Sequence, residues 1–270
     1  MEVTQWLDTD LGRDIWNNKY RHKGESLDDW FKRVSGGNKE VEKLIREKKF
    51  MFGGRATTNR GTGNNASYSN CYSHGYMPDS LDGIMGLNRN IAMTFKSQGG
   101  QGVSLSNVRP KGTPVGNGSF VSDGIIPFME IANTTTASVS QGGSRKGALM
   151  MSLSCEHKEI IDFITIKSNT GKIEKANLSV EVTDEFMESV DVYYETGEEI
   201  ELNYVKHYGE HVVEYSLKPI EIYKAMMLQA YDNAEPGVIY TKRFRNYNLM
   251  QFIEAYQIVT GNPCGGLRLM

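Results

Sequence analysis

Three cysteines are the residues best equipped for covalent chemistry in this sequence: Cys71, Cys155 and Cys264. A thiolate is a strong nucleophile and metal ligand, yet a lone Cys is more often a small buried hydrophobe. Cys155 fits that bland role, at the end of the apolar run Ala148-Leu149-Met150-Met151-Ser152-Leu153. Cys264 does not, because Asn262-Pro263-Cys264-Gly265-Gly266 is a tight-turn composition, and a turn at a strand end can expose a thiol into a cavity. Cys71 follows the polar pair Ser69-Asn70 in a strand-like stretch, whose alternation lets it point inward. On these residues alone a buried thiol and a catalytic thiol both stay open. No C-x-x-C pair or nearby His accompanies them, and His74, His157, His207 and His211 form no H-E-x-x-H pattern, so no metal centre is expected. His207 and His211 read as surface residues.

A second chemistry-bearing stretch is Ser140-Gln141-Gly142-Gly143-Ser144-Arg145-Lys146-Gly147. Its glycines free the backbone, and N–H groups beside Arg and Lys suit phosphate oxygens. A polar turn between a helix and a strand is the competing reading of the same residues.

The elements that must position these groups alternate along the chain. Residues 5 to 48 read as helical, with Ser26 and Asp29 spaced like a capping box and Gly36-Gly37 closing that helix. Gly53 to Asn70 reads as a long loop, then Tyr68 to Ser73 as a short strand. Helices are expected over 79–98, 125–139, 156–164, from Asp184 behind a Thr183 cap, and over 219–233. Strands are expected over 103–106, 148–154, 176–182 and 238–240. Residues 193–216 are polar and aromatic, a hairpin or an excursion. Strands alternating with helices predict an α/β fold of parallel strands with crossover helices. The division expected is 1–50 as a helical segment and 51–270 as one domain.

Composition excludes several classes. The 270 residues are 39% hydrophobic and 23% charged, with a net charge of −3. That balance argues against a broad nucleic-acid footprint, although small nucleotides need only a local donor cluster. The first residues lack a basic then apolar leader, and no apolar run approaches a membrane span. Few cysteines without a framework point to a reducing, cytoplasmic setting.

Taken together, the motifs resemble the large, catalytic subunit of ribonucleotide reductase. The carriers are Ser69-Asn70-Cys71, Asp79-Ser80-Leu81-Asp82-Gly83-Ile84, Gly99-Gly100-Gln101-Gly102-Val103, Arg109-Pro110-Lys111-Gly112, Ser140 to Gly147, and Asn262-Pro263-Cys264. The resemblance implies the N-terminal half of a ten-stranded α/β barrel behind a short helical segment. It implies ribonucleotide reduction to deoxyribonucleotides, with Cys264 as the thiyl radical that removes the ribose 3′ hydrogen. Cys71 would be one of two reducing thiols, and Asn262 the amide that binds the ribose hydroxyls. Asn70, Gly99, Gly100 and Arg145 would contact substrate. Asp79, Arg109, Val115, Gly116 and Gln141 would hold a dNTP or ATP effector that sets substrate choice through the 140–147 loop. The short helical start and Phe52-Gly53-Gly54-Arg55 look most like the adenosylcobalamin-dependent class, with a two-subunit, metal-dependent enzyme as the alternative. A thioredoxin-type reductant, a homodimer and a complementing C-terminal chain are the implied partners, with no nucleic acid and no membrane.

Two departures stand out. The family has Glu, a general base for the 3′ hydroxyl, where this chain has Gly266. The family's second reducing thiol and remaining barrel strands would lie beyond residue 270. The expectation is therefore a chain inactive alone, with a nucleotide-binding regulatory remnant as the non-enzymatic alternative.

Overall fold

The structure is a computed structural model describing residues 6–64, 67–139, 147–168, 172–250, 252–253 and 258–261. It divides into two compact units, Met1–Asn70 and Cys71–Met270.

The first unit is helical: α1 (Asp10–Ile15) running into a wider π turn (Trp16–Tyr20), α2 (Leu27–Ser35), α3 (Lys39–Arg46) and α4 (Gly54–Asn59). Ser26 caps α2 as its spacing predicts. Its Oγ accepts from Asp29 N at 3.1 Å, and its hydroxyl donates to Asp29 Oδ2 at 2.6 Å. Gly36 closes α2 at φ 66, a left-handed turn that glycine adopts without strain. Leu7, Trp16, Leu27, Trp30, Phe31, Val34 and Ile45 form its core. Helix α4 lies inside the stretch expected as a loop. It has no apolar stripe, and Thr57 and Thr58 return their hydroxyls to the backbone of the preceding turn. Arg33 ties this helix to the others through Arg60 O at 2.6 Å and a 2.7 Å ion pair with Glu25. The compact unit runs to residue 70.

The second unit holds β1 (Cys71–Tyr76), α5 (Leu81–Lys96), β2 (Gly100–Ser104), a two-stranded ribbon β3 (Pro114–Val115) and β4 (Phe120–Val121), α6 (Ile126–Ser138), β5 (Leu149–Ser154), α7 (Ile160–Thr165), β6 (Ala176–Val182), α8 (Asp184–Thr196), the hairpin β7 (Leu202–Tyr208) and β8 (His211–Leu217), α9 (Pro219–Asn233), β9 (Gly237–Tyr240) and α10 (Thr241–Asn246). Five strands form one parallel sheet in the order β1-β2-β5-β6-β9. The spatial order is the chain order, as in a barrel segment; a doubly wound sheet reverses partway. The α/β class with crossover helices is the expected one. Strand β2 begins at Gly100, earlier than expected, because β1 and β5 both pair with it and fix its glycines in the ladder.

The two faces of this sheet differ. Val103, Leu149, Met151, Leu153, Ala176, Leu178, Val180 and Val182 alternate onto one face. There they meet Ile84, Leu87, Ile91 and Phe95 of α5, Met129 of α6, Phe163 of α7, Phe186 of α8 and Met226 of α9 in one apolar cluster. Among the intervening positions, Ser73, Ser104, Ser152, Ser179 and Glu181 are polar and buried, beside the buried Met150. Among the described residues no helix is long and apolar enough to cross a membrane.

Candidate functional site

The polar face begins with Cys71, at the start of β1 and 8% exposed. It stands outside the apolar cluster that contains Cys155. Burial pushes the Cys155 thiol up to about 11, so this cysteine is the inert one that its strand context suggests. Ser73, two residues along β1, shares the face of Cys71. Its hydroxyl donates to the carbonyl of Thr260 at 3.3 Å, across 187 positions of sequence. The Thr260 hydroxyl meets Ser152 Oγ of β5 at 2.6 Å. Arg245 of α10 donates through Nε to Ile258 O at 3.2 Å. Three side chains therefore hold the stretch that runs into Asn262. Asn262, Cys264 and Gly266 themselves lie outside the described residues, as do Gln141 and Arg145.

Glu181 of β6 closes the network. The residue is 5% exposed, and its carboxyl accepts from Ser152 Oγ at 2.5 Å and from Ser106 Oγ at 3.1 Å. Burial raises its pKa above the ordinary 4.5, against the lowering pull of Ser152, Ser104, Ser106 and Arg245. None of Ser73, Ser152, Glu181 or Thr260 stands out in the sequence. Each is a single polar residue in an otherwise ordinary stretch, and only the fold brings them together.

The residues expected to contact substrate are partly accounted for by packing. Gly100 pairs in register with Cys71. A Cβ on Gly99 would lie 2.5 Å from Thr94 Cγ2 and 2.7 Å from the Tyr72 ring, so this position is closed to side chains by its own neighbours. That is a reason for glycine different from the close substrate approach inferred from the sequence. Asn70 Oδ1 is buried without a hydrogen-bond partner among the described residues.

The expected effector residues form a second group, at the C-terminal ends of β1 and β2. Arg109 and Asp79 pair at 2.8 Å, Arg109 Nε donates to Asp79 Oδ2 at 2.9 Å, and Arg109 N to Asp79 Oδ1 at 3.0 Å. Arg109 also donates to Pro114 O at 2.8 Å, which fixes the ribbon bearing Val115 and Gly116. His211 Nε2 lies 3.0 Å from Gly116 O, so the β7–β8 hairpin reaches this ribbon. The hairpin roofs a cavity of about 470 Å³ to which Asp79, Asn107, His157, Lys206 and Tyr208 contribute. His211 and His207, expected as plain surface residues, thus belong to the element that covers a cavity. His157 is held neutral by burial, with Nδ1 accepting from Glu159 N at 3.1 Å and Nε2 facing Val108 O at 2.9 Å. Glu159 in turn accepts from the amides of Lys111 and Ile125, both at 3.2 Å, and anchors the 107–124 loop. Burial raises the Glu159 pKa, and a Cβ on Gly124 would strike this carboxyl at 2.2 Å.

Comparisons with known proteins show the family. Residues 69–267 match the model of the ribonucleotide reductase barrel domain. A vitamin B12-dependent ribonucleoside-diphosphate reductase of Thermoplasma acidophilum is 34% identical over 188 residues, covering 69% of this chain and 23% of that protein. The ribonucleoside-diphosphate reductase large subunit of Danio rerio is 28% identical over 221 residues, covering 74% of this chain and 28% of its own length. That of Trypanosoma brucei brucei is 34% identical over 128 residues, covering 46% and 15%. The chain spans about a quarter of the length of the first two relatives. With the match running across both the polar sheet face and the effector-type group, the chain belongs to the ribonucleotide reductase barrel-domain family.

Proposed function

We propose that this chain supplies the first part of a ribonucleotide reductase active site, with Cys71 and Cys264 acting on opposite sides of one ribose. The observation that carries the reading is the double attachment of Thr260. Its carbonyl is held by Ser73, on the face of Cys71, and its hydroxyl by Ser152. Cys264 follows four residues later, so chain length alone keeps its Cα within about 14 Å of Thr260. A thiyl radical on Cys264 takes the 3′ hydrogen, and Asn262 orients the ribose hydroxyls. The 2′ hydroxyl leaves as water, Cys71 with a second thiol supplies two electrons and two protons by forming a disulfide, and Cys264 returns the hydrogen to C3′ and is a thiyl radical again. Cys155 is not that second thiol, because it sits in the apolar cluster with its pKa pushed to about 11. Gly266 cannot accept the 3′ hydroxyl proton, so that proton needs another acceptor here.

The radical source proposed is adenosylcobalamin, the cofactor class in the name of the Thermoplasma acidophilum relative. When bound, the cofactor supplies the radical equivalent that Cys264 carries. Among the described residues, Ser73, Ser104 and Ser152 are buried, and Ser73 and Ser152 are bonded to Thr260, so they do not form a site for that group. A separate metal-carrying subunit is the other source; the Danio rerio and Trypanosoma brucei brucei relatives are named as large subunits.

Asp79, Arg109, Val115 and Gly116 are proposed to hold a nucleotide effector that acts on substrate choice through Gln141 and Arg145. The effector-type group is assembled within the described residues, which favours nucleotide binding without catalysis as a second reading. The experiment is an assay for deoxynucleotide formation from ribonucleoside di- and triphosphates with adenosylcobalamin and a dithiol, with and without a complementing C-terminal chain. Product that disappears in Cys264→Ser and in Cys71→Ser supports the reductase reading. Saturable dNTP binding with no product under any condition supports the second reading.

A further inference from the structure

A carboxyl buried in a protein costs several kcal/mol unless its oxygens are satisfied, and an apolar residue of similar size often serves stability better. Glu181 is such a carboxyl, and its satisfaction takes an unusual form. The groups turned toward it include the hydroxyls of Ser152 and Ser106, from β5 and from the turn after β2, while Ser104 donates onward to Ser106 at 2.9 Å. The charged or titratable groups that bear on it are Arg245, from α10, and the Cys155 thiol.

The direction of the bonds follows from counting protons. Ser152 has one hydroxyl hydrogen, and its shortest contact is Glu181 Oε1 at 2.5 Å. When Glu181 is ionised and accepts from Ser152, the Thr260 hydroxyl, 2.6 Å away on the other side, donates to Ser152 Oγ. The result is a directed relay, from Thr260 to Ser152 to Glu181, ending on an acceptor that can take a second hydroxyl from Ser106. An ionised acceptor strengthens the whole chain of bonds. Arg245 joins the same device from the other end, since it biases Glu181 toward the charged form and also holds Ile258 O.

We infer that Glu181 is a positioning residue for the segment leading to Asn262 and Cys264, which it fixes through Ser152 and Thr260. The inference rests on the reductase reading for its consequence, but not for its geometry. In that reading Glu181 touches neither substrate nor thiol. It fixes the stretch 258–261 that precedes Asn262 and Cys264 in the sequence, so its loss lowers kcat while leaving KM nearly unchanged.

Amide hydrogen exchange of residues 258–264, followed by mass spectrometry on the full 270-residue chain, tests the anchor directly. Thr260→Val removes the bridging hydroxyl at nearly constant shape, and Ser152→Ala removes the relay. Each is expected to speed exchange in 258–264 about tenfold, the loss of one hydrogen bond of ordinary strength, with exchange in β5 and β6 unchanged. Thr260→Ser keeps the hydroxyl and is expected to retain protection, whereas Glu181→Leu removes the acceptor and is expected to speed exchange in 258–264 as Ser152→Ala does; unchanged exchange in Glu181→Leu overturns the role given to Glu181. Unchanged exchange in 258–264 for Thr260→Val and Ser152→Ala overturns the inference, as does acceleration spread evenly over the sheet. Failure of the reductase reading shows elsewhere, as absence of deoxynucleotide product from a chain whose 258–264 exchange still responds to these variants.

Discussion

The two faces of the parallel sheet are built from the same strands by opposite rules. Toward the helices, most alternate residues of β5 and β6 are aliphatic and join a single cluster with the crossover helices. Toward the other side, the alternate residues include Ser73, Ser104, Ser152, Ser179 and Glu181, buried but polar, with Met150 among them. The first face gains stability from area removed from water and tolerates no change of volume. The second gains little from burial and depends on each hydrogen bond being made. A region that spends stability on a buried carboxyl and a row of hydroxyls is specified for position.

The contrast can be broken most severely at Phe163, fully buried on the apolar face. Phe163→Ala should cost about 3–5 kcal/mol, read as a lower urea midpoint, while hydrogen exchange in 258–261 follows only the global change. If that substitution loosened 258–261 selectively, the two faces would not be separable. Gly99→Ala comes next. The new Cβ would overlap Thr94 and Tyr72, and overpacking of this kind costs about 1–3 kcal/mol. Differential scanning calorimetry should show the lower Tm; an unchanged Tm would mean that the Tyr72 ring moves aside freely.

A subtler separation comes from pH. Burial raises the folded-state pKa of Glu181 above 4.5, so the native protein holds this proton more tightly than the unfolded chain does. The stabilising contribution is complete below about pH 4.5 and is lost as pH rises through the raised folded value. Glu181→Gln should flatten that decline in a pH series of urea midpoints. Glu159 is raised for the same reason and keeps a slope of the same sign, so the flattening is partial. The smallest effect is expected at the Thr183 cap of α8, which accepts from Phe186 N at 3.2 Å. Thr183→Ala should cost about 1 kcal/mol and leave exchange in 258–261 untouched.

Much of the apolar face could be read from the sequence. The runs at 148–154 and 176–182 are β-rich and bounded by loops, and the stripes of α5 and α9 have helical spacing. The stretches that misled are those without apolar periodicity. Helix Gly54–Asn59 is made of Gly, Arg, Ala, Thr and Asn, and buries Arg55, Thr57 and Asn59 in place of an apolar stripe. Helix Thr241–Asn246 buries none of its residues and leaves no trace in a hydropathy pattern. Strand Gly100–Ser104 begins with glycine and glutamine, a breaker by composition, and is a strand because neighbours pair on both sides. At the site, Cys71 and the Asp79–Arg109 pair were recognisable through family motifs. Ser73, Ser152, Glu181 and Thr260 were not, because a lone hydroxyl in a strand carries no signal until a partner 108 or 187 positions away is brought beside it.

The account turns on whether the thiols of Cys71 and Cys264 face one cavity. A short thiol-bridging bis-electrophile, added to the reduced chain and followed by peptide mapping, measures this with no need for turnover. The account predicts an intramolecular 71–264 bridge as the dominant product, with Cys155 unreacted. Single alkylation of Cys71 and Cys264 without a bridge, in a chain whose fold is intact by circular dichroism, would contradict it.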